Sequence, residues 1–324
     1  MRAYNGWERA NWFAKPGDDT SEDSTHTWHR SGPWEARIRE ECEAVRDACG
    51  VLDLPGFSRF WITGEGADEW LRGFVTGGLP KIGRMNLVYV ADSRGRIRTE
   101  FSCIRVGEDS FILITAATAQ WHDGDMIRQS VPAGVNVNET TTQRSALIVT
   151  GPKSRELLAP LTDADLSLPW LSHQHCTVAG QKAFMARVSF AGELGWEVHA
   201  TNVDMPAIYQ AILDAGAKPF GMYALNGLRM EKGYRAWKGD LSTDYSMLEG
   251  GLERFVKFDK PQDFNGKAAL LAEKQQGSSK RFVQLIVDAG DFDPPGHVTR
   301  RSCSSGHRTG GGYLRQTPPR GGAG

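Results

Sequence analysis

At 324 residues, 40% of them hydrophobic, and with a formal net charge of -1 at pH 7, the chain is long enough for two or three compact units and apolar enough for a real core. So balanced a charge argues against a nucleic-acid or anionic-membrane partner, and no apolar run approaches a membrane span or a signal-peptide h-region. The five cysteines (Cys42, Cys49, Cys103, Cys176 and Cys303) show neither CxxC nor zinc-ligand spacing, so no metal site is expected and a reducing cytoplasm is the simplest location.

Residues 1–35 carry Trp7, Trp12, Phe13, Trp28 and Trp34 in a polar background. They read as a lead-in segment laid over the domain and pinned by its rings. Gly32-Pro33 opens a helix, with proline suited to the first turn. Ile38, Cys42, Val45 and Cys49 give it an apolar stripe of small buried hydrophobes, and Gly50 is its expected C-cap. A strand at 57–63 and a short helix at 67–74 follow. Strands come next at 87–90, 100–106 and 111–115, the first two joined by the turn Asp92-Ser93-Arg94-Gly95. A strand at 146–150 is broken by Gly151-Pro152 before a helix from Lys153. His173-x-His175-Cys176 invites a metal reading, but it precedes a strand and has no second cluster, which favours structural histidines. Strands at 184–189 and 195–200, then helices at 206–215 and 222–232, complete the pattern. Helices interleaved with antiparallel hairpins predict an α+β fold.

Between the last two strands lies Ser189-Phe190-Ala191-Gly192-Glu193-Leu194-Gly195-Trp196-Glu197-Val198. It reads as a strand end, a two-glycine turn and a returning strand. On that strand Glu197 points away from Trp196 and Val198. If those two face a core, Glu197 faces the other side, where its carboxylate can accept two parallel hydrogen bonds from a planar donor–donor edge. The alternative is a surface hairpin with solvated glutamates.

A second stretch, Leu225-Asn226-Gly227-Leu228-Arg229-Met230-Glu231-Lys232-Gly233-Tyr234-Arg235-Ala236-Trp237-Lys238-Gly239-Asp240, changes that balance. With Gly151-Pro152-Lys153-Ser154, Glu249-Gly250-Gly251-Leu252 and Asp263-Phe264-Asn265-Gly266-Lys267, the two stretches resemble the glycine-cleavage T-protein (aminomethyltransferase) family. The likeness is greatest to its version in dimethylglycine and sarcosine dehydrogenases, and it runs in order through roughly residues 5–295. It implies a folate-binding domain at 36–275, built as a cloverleaf of three parts, with 276–295 opening a truncated C-terminal β-barrel domain. From Gly296 to Gly324 there are five arginines, eight glycines and no acidic residue. That segment is expected to be an unordered tail, too poor in apolar area to fold. A reading-frame shift or a natural basic tail would each give its composition.

The resemblance also implies chemistry. Tetrahydrofolate accepts a one-carbon unit at N5 in this family. Glu197 matches the glutamate that holds the pterin edge, and Phe190 stands where relatives carry tyrosine, keeping the ring but losing a hydroxyl. Glu100 stands where relatives carry aspartate, as acid/base or as stabiliser of a cationic donor. Arg96 replaces a glycine before it, adding bulk and charge. Tyr234 and Trp237 would wall the folate cavity. Leu225, where glycine-cleavage proteins have arginine, points to catabolism of N-methylated glycine. No Walker A motif and no GxGxxG between strand and helix is present, so flavin oxidation needs a separate FAD-dependent amine dehydrogenase or oxidase. The implied function is tetrahydrofolate-dependent aminomethyl or methylene transfer. The alternative is a catalytically impaired folate-binding module.

Overall fold

The computed structural model describes residues 2–4, 6–21, 32–284 and 312–315. The lead-in segment starts as a hairpin, β1 (Arg2–Tyr4) against β2 (Trp7–Arg9); Trp28 lies outside the described residues. Helix α1 (Pro33–Asp47) is capped by Ala48, so the expectation for Gly50 is corrected: Gly50 opens β3 (Gly50–Asp53). A Cβ there would meet Val45 and Phe220 at 2.6 and 2.7 Å, so packing rather than capping requires the glycine. Cys49 therefore lies beyond the helix carrying Cys42, though both are buried. Next come β4 (Phe57–Thr63), α2 (Ala67–Phe74), β5 (Met85–Ala91), β6 (Ile97–Gly107), β7 (Ser110–Ala116), α3 (Gln120–Ser130) and β8 (Asn136–Glu139). They build an antiparallel five-stranded sheet, ordered β5-β6-β7-β4-β8, with α2 and α3 on one face.

The chain then forms β9 (Arg144–Thr150), α4 (Ser154–Leu158), β10 (His173–Val178), β11 (Gln181–Ala186), β12 (Gly195–Thr201), α5 (Met205–Asp214), β13 (Lys218–Pro219), α6 (Met222–Glu231) and α7 (Lys267–Gln276). A second sheet is ordered β10-β11-β12-β9-β3-β13, antiparallel except at the β3–β13 edge. Beyond α7, β14 (Lys280–Val283) pairs with β15 (Gly312–Arg315). These four residues are the described part of the tail expected to be unordered; the rest of 285–324, and of that expectation, lies outside the described residues.

Alternation decides which way each sheet faces. Trp196, Val198 and Ala200 of β12 and Leu147 and Val149 of β9 pack under Met205, Ile208 and Ile212 of α5. Phe101 and Cys103 of β6 and Phe60 and Ile62 of β4 pack under Leu71 of α2 and Ile127 of α3. The opposite faces meet each other: Met85, Ile104 and Ile114 of the five-stranded sheet contact Phe184 and Ala186 of the six-stranded one. Beside that contact, α1 and α6 cover the six-stranded sheet through Ile38, Leu52, Ile148, Phe220 and Leu225. A third part, formed by residues between Leu241 and Leu270, packs on Tyr89 and Ile97. Three parts thus group around one inter-sheet space, as the fold class predicted.

The lead-in segment is docked by a buried carboxylate. Glu41 of α1 accepts the Phe13 N–H at 2.7 Å and the Gly221 N–H at 2.9 Å, tying the segment to the start of α6. Trp12 adds its ring to the apolar cluster there. Burial pushes the Glu41 carboxyl up to about 7 against the pull of those two donors.

Candidate functional site

Glu197 takes the orientation its alternation predicted. Trp196 and Val198 are 1% and 0% exposed on the α5 side, and Glu197 shares the other face with its cross-strand partners Ala186 and Ile148. It is therefore a half-buried carboxylate at the inter-sheet space, its side chain 18% exposed, and not a solvated hairpin residue. The turn before it needs its glycines. Gly192 has φ +82°, and a Cβ there would lie 2.3 Å from the Lys232 side chain. β11 stops at Ala186, short of the 189 expected: Arg187 still bonds to the residues just ahead of β10, its N–H donating to the Ser172 carbonyl at 2.8 Å, but the Val188 N–H then turns back to the Ala186 carbonyl at 3.0 Å. Glu193 sits in the turn and pairs with Lys232 at 3.2 Å, both partly exposed.

Glu100 comes from the other sheet. Its neighbours Thr99 and Phe101 point to the α2–α3 side, fully buried. Glu100 shares the inter-sheet face with Ser102, Ile104 and its β5 partner Tyr89. The Tyr89 hydroxyl donates to Glu100 Oε2. Burial raises the Glu100 carboxyl to about 6, opposed by that hydrogen bond. At pH 7 it is mainly ionised and able to accept a proton. Arg96 departs from expectation: its guanidinium donates to the Asp244 carbonyl, so its charge is turned onto the 237–250 loop.

The segment after α6 joins the two carboxylates' surroundings. Tyr234 lies parallel to Phe190, ring centroids 6.1 Å apart and planes 16° apart, on the Glu197 side. Trp237 packs instead with Tyr89, Leu241 and Phe255, on the Glu100 side. The two rings expected to wall one cavity thus belong to different clusters. A buried ion pair holds the segment: Arg229 donates to Asp240 and to the Tyr234 carbonyl, and Asp240 also accepts the Ala236 N–H at 2.9 Å. A cleft of about 270 Å³ opens beside them, lined by Trp170, Arg187, Ser189, Glu193 and Tyr234 among others, but not by Glu197, Phe190 or Glu100.

Three contributors escaped the sequence reading. Tyr89 touches Glu100 only through strand register, Arg59 reaches the inter-sheet space from β4, and His199 stands two residues beyond Glu197 on the same face. The period of two puts His199 on the face of Glu197, a signal the reading passed over; nothing in sequence spacing points to the other two. His173 lies within β10, not ahead of a strand, and its Nε2 contacts the Arg105 carbonyl at 2.9 Å. Among the described residues no group of three or more His, Cys, Asp or Glu could hold a metal, and no helix is long and apolar enough to cross a membrane.

An α+β chain with one half-buried carboxylate on the facing side of each of two sheets, and with this motif order, belongs to the glycine-cleavage T-protein family: residues 1–260 match the family described as GCVT N-terminal domain. Over 325 residues it is 34% identical to the mitochondrial dimethylglycine dehydrogenase of Rattus norvegicus, covering 97% of this chain and 38% of that protein. Identity to the aminomethyltransferase of Saccharopolyspora erythraea is 30% over 256 residues, covering 76% of this chain and 70% of the relative. The crystal structure of glycine cleavage system aminomethyltransferase T from Bartonella henselae shares the fold, with a TM-score of 0.71 at 22% identity over 87% of this chain and 73% of that one. The chain spans little more than a third of the dimethylglycine dehydrogenases it matches.

Proposed function

We propose that this chain is a tetrahydrofolate-dependent one-carbon transferase acting in the breakdown of N-methylated glycines. The observation that carries the reading is that two half-buried carboxylates, Glu197 and Glu100, lie on the facing sides of two sheets that pack together through Met85, Ile104, Ile114, Phe184 and Ala186. Tetrahydrofolate fits these residues chemically. Its pterin presents a planar donor–donor edge that a carboxylate accepts in parallel, and aromatic rings such as Phe190 and Tyr234 suit its flat faces. Bound there, it would supply the nitrogen that receives the one-carbon unit. Glu197 would orient the ring, Phe190 and Tyr234 would pack against it, and Trp237 would close the Glu100 side. Glu100, with its carboxyl near 6, would hold or accept a proton beside the reacting nitrogen or stabilise a cationic donor.

The relatives named dimethylglycine dehydrogenase support a donor made by oxidising a methylated amine, a step for an FAD-dependent dehydrogenase or oxidase on another polypeptide or another part of a longer chain. A second reading has its own support. The Tyr89 hydroxyl already occupies one Glu100 oxygen, and Phe190 lacks a hydroxyl, so the fold could bind folate without turnover. Calorimetric titration with tetrahydrofolate, followed by a single-turnover assay with formaldehyde as donor, tests both. Binding with transfer supports the transferase, binding without transfer supports the module, and no binding at pH 7 overturns both.

A further inference from the structure

The Glu197 carboxylate would read a ligand edge only if its plane is held, and two buried groups unused so far face it. His199 lies two residues on along β12, on the same face, with Nε2 3.3 Å from Glu197 Oε2. Its residue is 5% exposed, and its ring meets Phe184 edge-on at 5.8 Å. The histidine is therefore fixed by packing, whereas the carboxylate retains some freedom at the edge of the space. Nε2 has no in-line hydrogen-bond partner, so the 3.3 Å contact is a donor and an acceptor in reach but not yet aligned.

Two statements about protonation follow from chemistry. Burial pushes the His199 imidazole below its ordinary range against the upward pull of Glu197, with the Arg59 and Arg144 charges adding to the fall, which favours the neutral ring at pH 7. A neutral imidazole with a bare Nε2 would set acceptor against acceptor at this distance; the stable tautomer carries its proton on Nε2 and donates to Oε2. Across the gap, Arg59 is 2% exposed, and its Nη1 is anchored on the Phe57 and Arg144 carbonyls at 2.8 and 3.0 Å. Its Nε and Nη2 are buried without partners, and its charge acts on Glu197. A guanidinium so anchored supplies a fixed positive field that draws the carboxylate inward.

We propose that His199 is the positioning residue of Glu197: its Nε2–H holds Oε2, in the field of Arg59, and leaves the other lone pairs facing the ligand edge. This rests on the reading of Glu197 as the pterin acceptor, and the test separates the two. In the ligand-free chain, nitrogen-15 spectra of the histidine rings at pH 7, assigned by His199→Phe, should show His199 as one neutral tautomer protonated at Nε2. Glu197→Leu should convert that signal to a mixture. Tetrahydrofolate titration should then give about tenfold weaker binding for His199→Phe, which keeps the ring volume and loses the donor. His199→Gln, whose amide N–H can take the place of Nε2–H, should bind within about threefold of the parent.

Should His199→Phe fail to fold, the tautomer signal in the parent and its response to Glu197→Leu still decide the matter, with His199→Gln assigning it. A proton on Nδ1, a signal indifferent to Glu197→Leu, or, in a parent that binds tetrahydrofolate, an equal affinity for His199→Phe would overturn the proposal. An Nε2–H signal that responds to Glu197, in a chain that does not bind tetrahydrofolate, would leave the positioning intact and remove the folate reading alone.

Discussion

The residue that separates a ligand site from a solvated hairpin is Glu197. Its carboxylate lies opposite Trp196 and Val198, partly buried, whereas Glu193, four residues earlier in the turn, is paired with Lys232 in partial solvent. Glu197→Gln keeps the shape but turns one acceptor into a donor facing a donor. Tetrahydrofolate binding should weaken by about 2–3 kcal/mol, on the order of a hundredfold. Glu193→Gln should cost under about 1 kcal/mol, as befits a screened pair, and serves as the control. Calorimetry on both variants reads the difference; parent-like affinity for Glu197→Gln would withdraw the site. Glu100 offers an independent handle through pH. Burial lifts its carboxyl from 4.5 to about 6, so the folded chain binds this proton more tightly than the unfolded one. Its neutral form therefore contributes stability below about pH 4.5 that is lost as pH rises to about 6, on the order of 2 kcal/mol at most. Urea midpoints of parent and Glu100→Gln should diverge in the variant's favour across that window. A gap constant with pH would mean that the carboxyl is not raised. One-carbon transfer, if Glu100 acts as a base, should rise through the same window to a plateau.

At the scale of elements, the segment after α6 is the one on which the site depends most. It has little regular structure, and it carries Tyr234 to Phe190 and Trp237 to Tyr89. Its shape comes from the pair Arg229–Asp240, with side chains 8% and 6% exposed. Asp240→Asn would leave a guanidinium buried without its countercharge and should cost about 3–5 kcal/mol in urea denaturation, with loss of folate affinity as Tyr234 and Trp237 move. An unchanged midpoint would show that the Asn226 and Tyr234 oxygens satisfy Arg229 alone. The elements themselves were legible in the sequence where period and punctuation agreed: helix 67–74 and strand 57–63 appear at the predicted bounds, and Glu197 faces as its alternation required. Local signals failed where a distant contact decided. Gly50 reads as a C-cap but is small because Phe220 presses on it. Tyr89 beside Glu100, and Arg59 across from Glu197, depend on strand register and sheet packing, which no spacing along one chain encodes.

For the whole molecule, the question is which residues the three parts need. All five apolar clusters draw on residues between Trp12 and Leu270. The ties between parts fall in the same range: Met85 and Phe184 between the sheets, Arg46 with Glu231 between α1 and α6, and Lys260 donating to the Arg72 carbonyl at 2.6 Å at the end of α2. Gln284 still contributes, donating to the Met230 carbonyl at 2.6 Å at the end of α6. Beyond it, the described contribution is β15, one strand of a two-stranded sheet with β14. Such a hairpin is marginal by itself. A chain ending at Gln284 should therefore melt within about 3 °C of the parent, roughly what 1 kcal/mol shifts a chain of this size. Its tetrahydrofolate affinity should be the same, because Glu197, Phe190, Tyr234, Trp237 and Glu100 all precede the cut. Scanning calorimetry and titration of the two chains side by side make the comparison. A fall of more than about 5 °C would show that residues after Gln284 pack on one of the three parts, and lost affinity without a fall would place part of the ligand site among them.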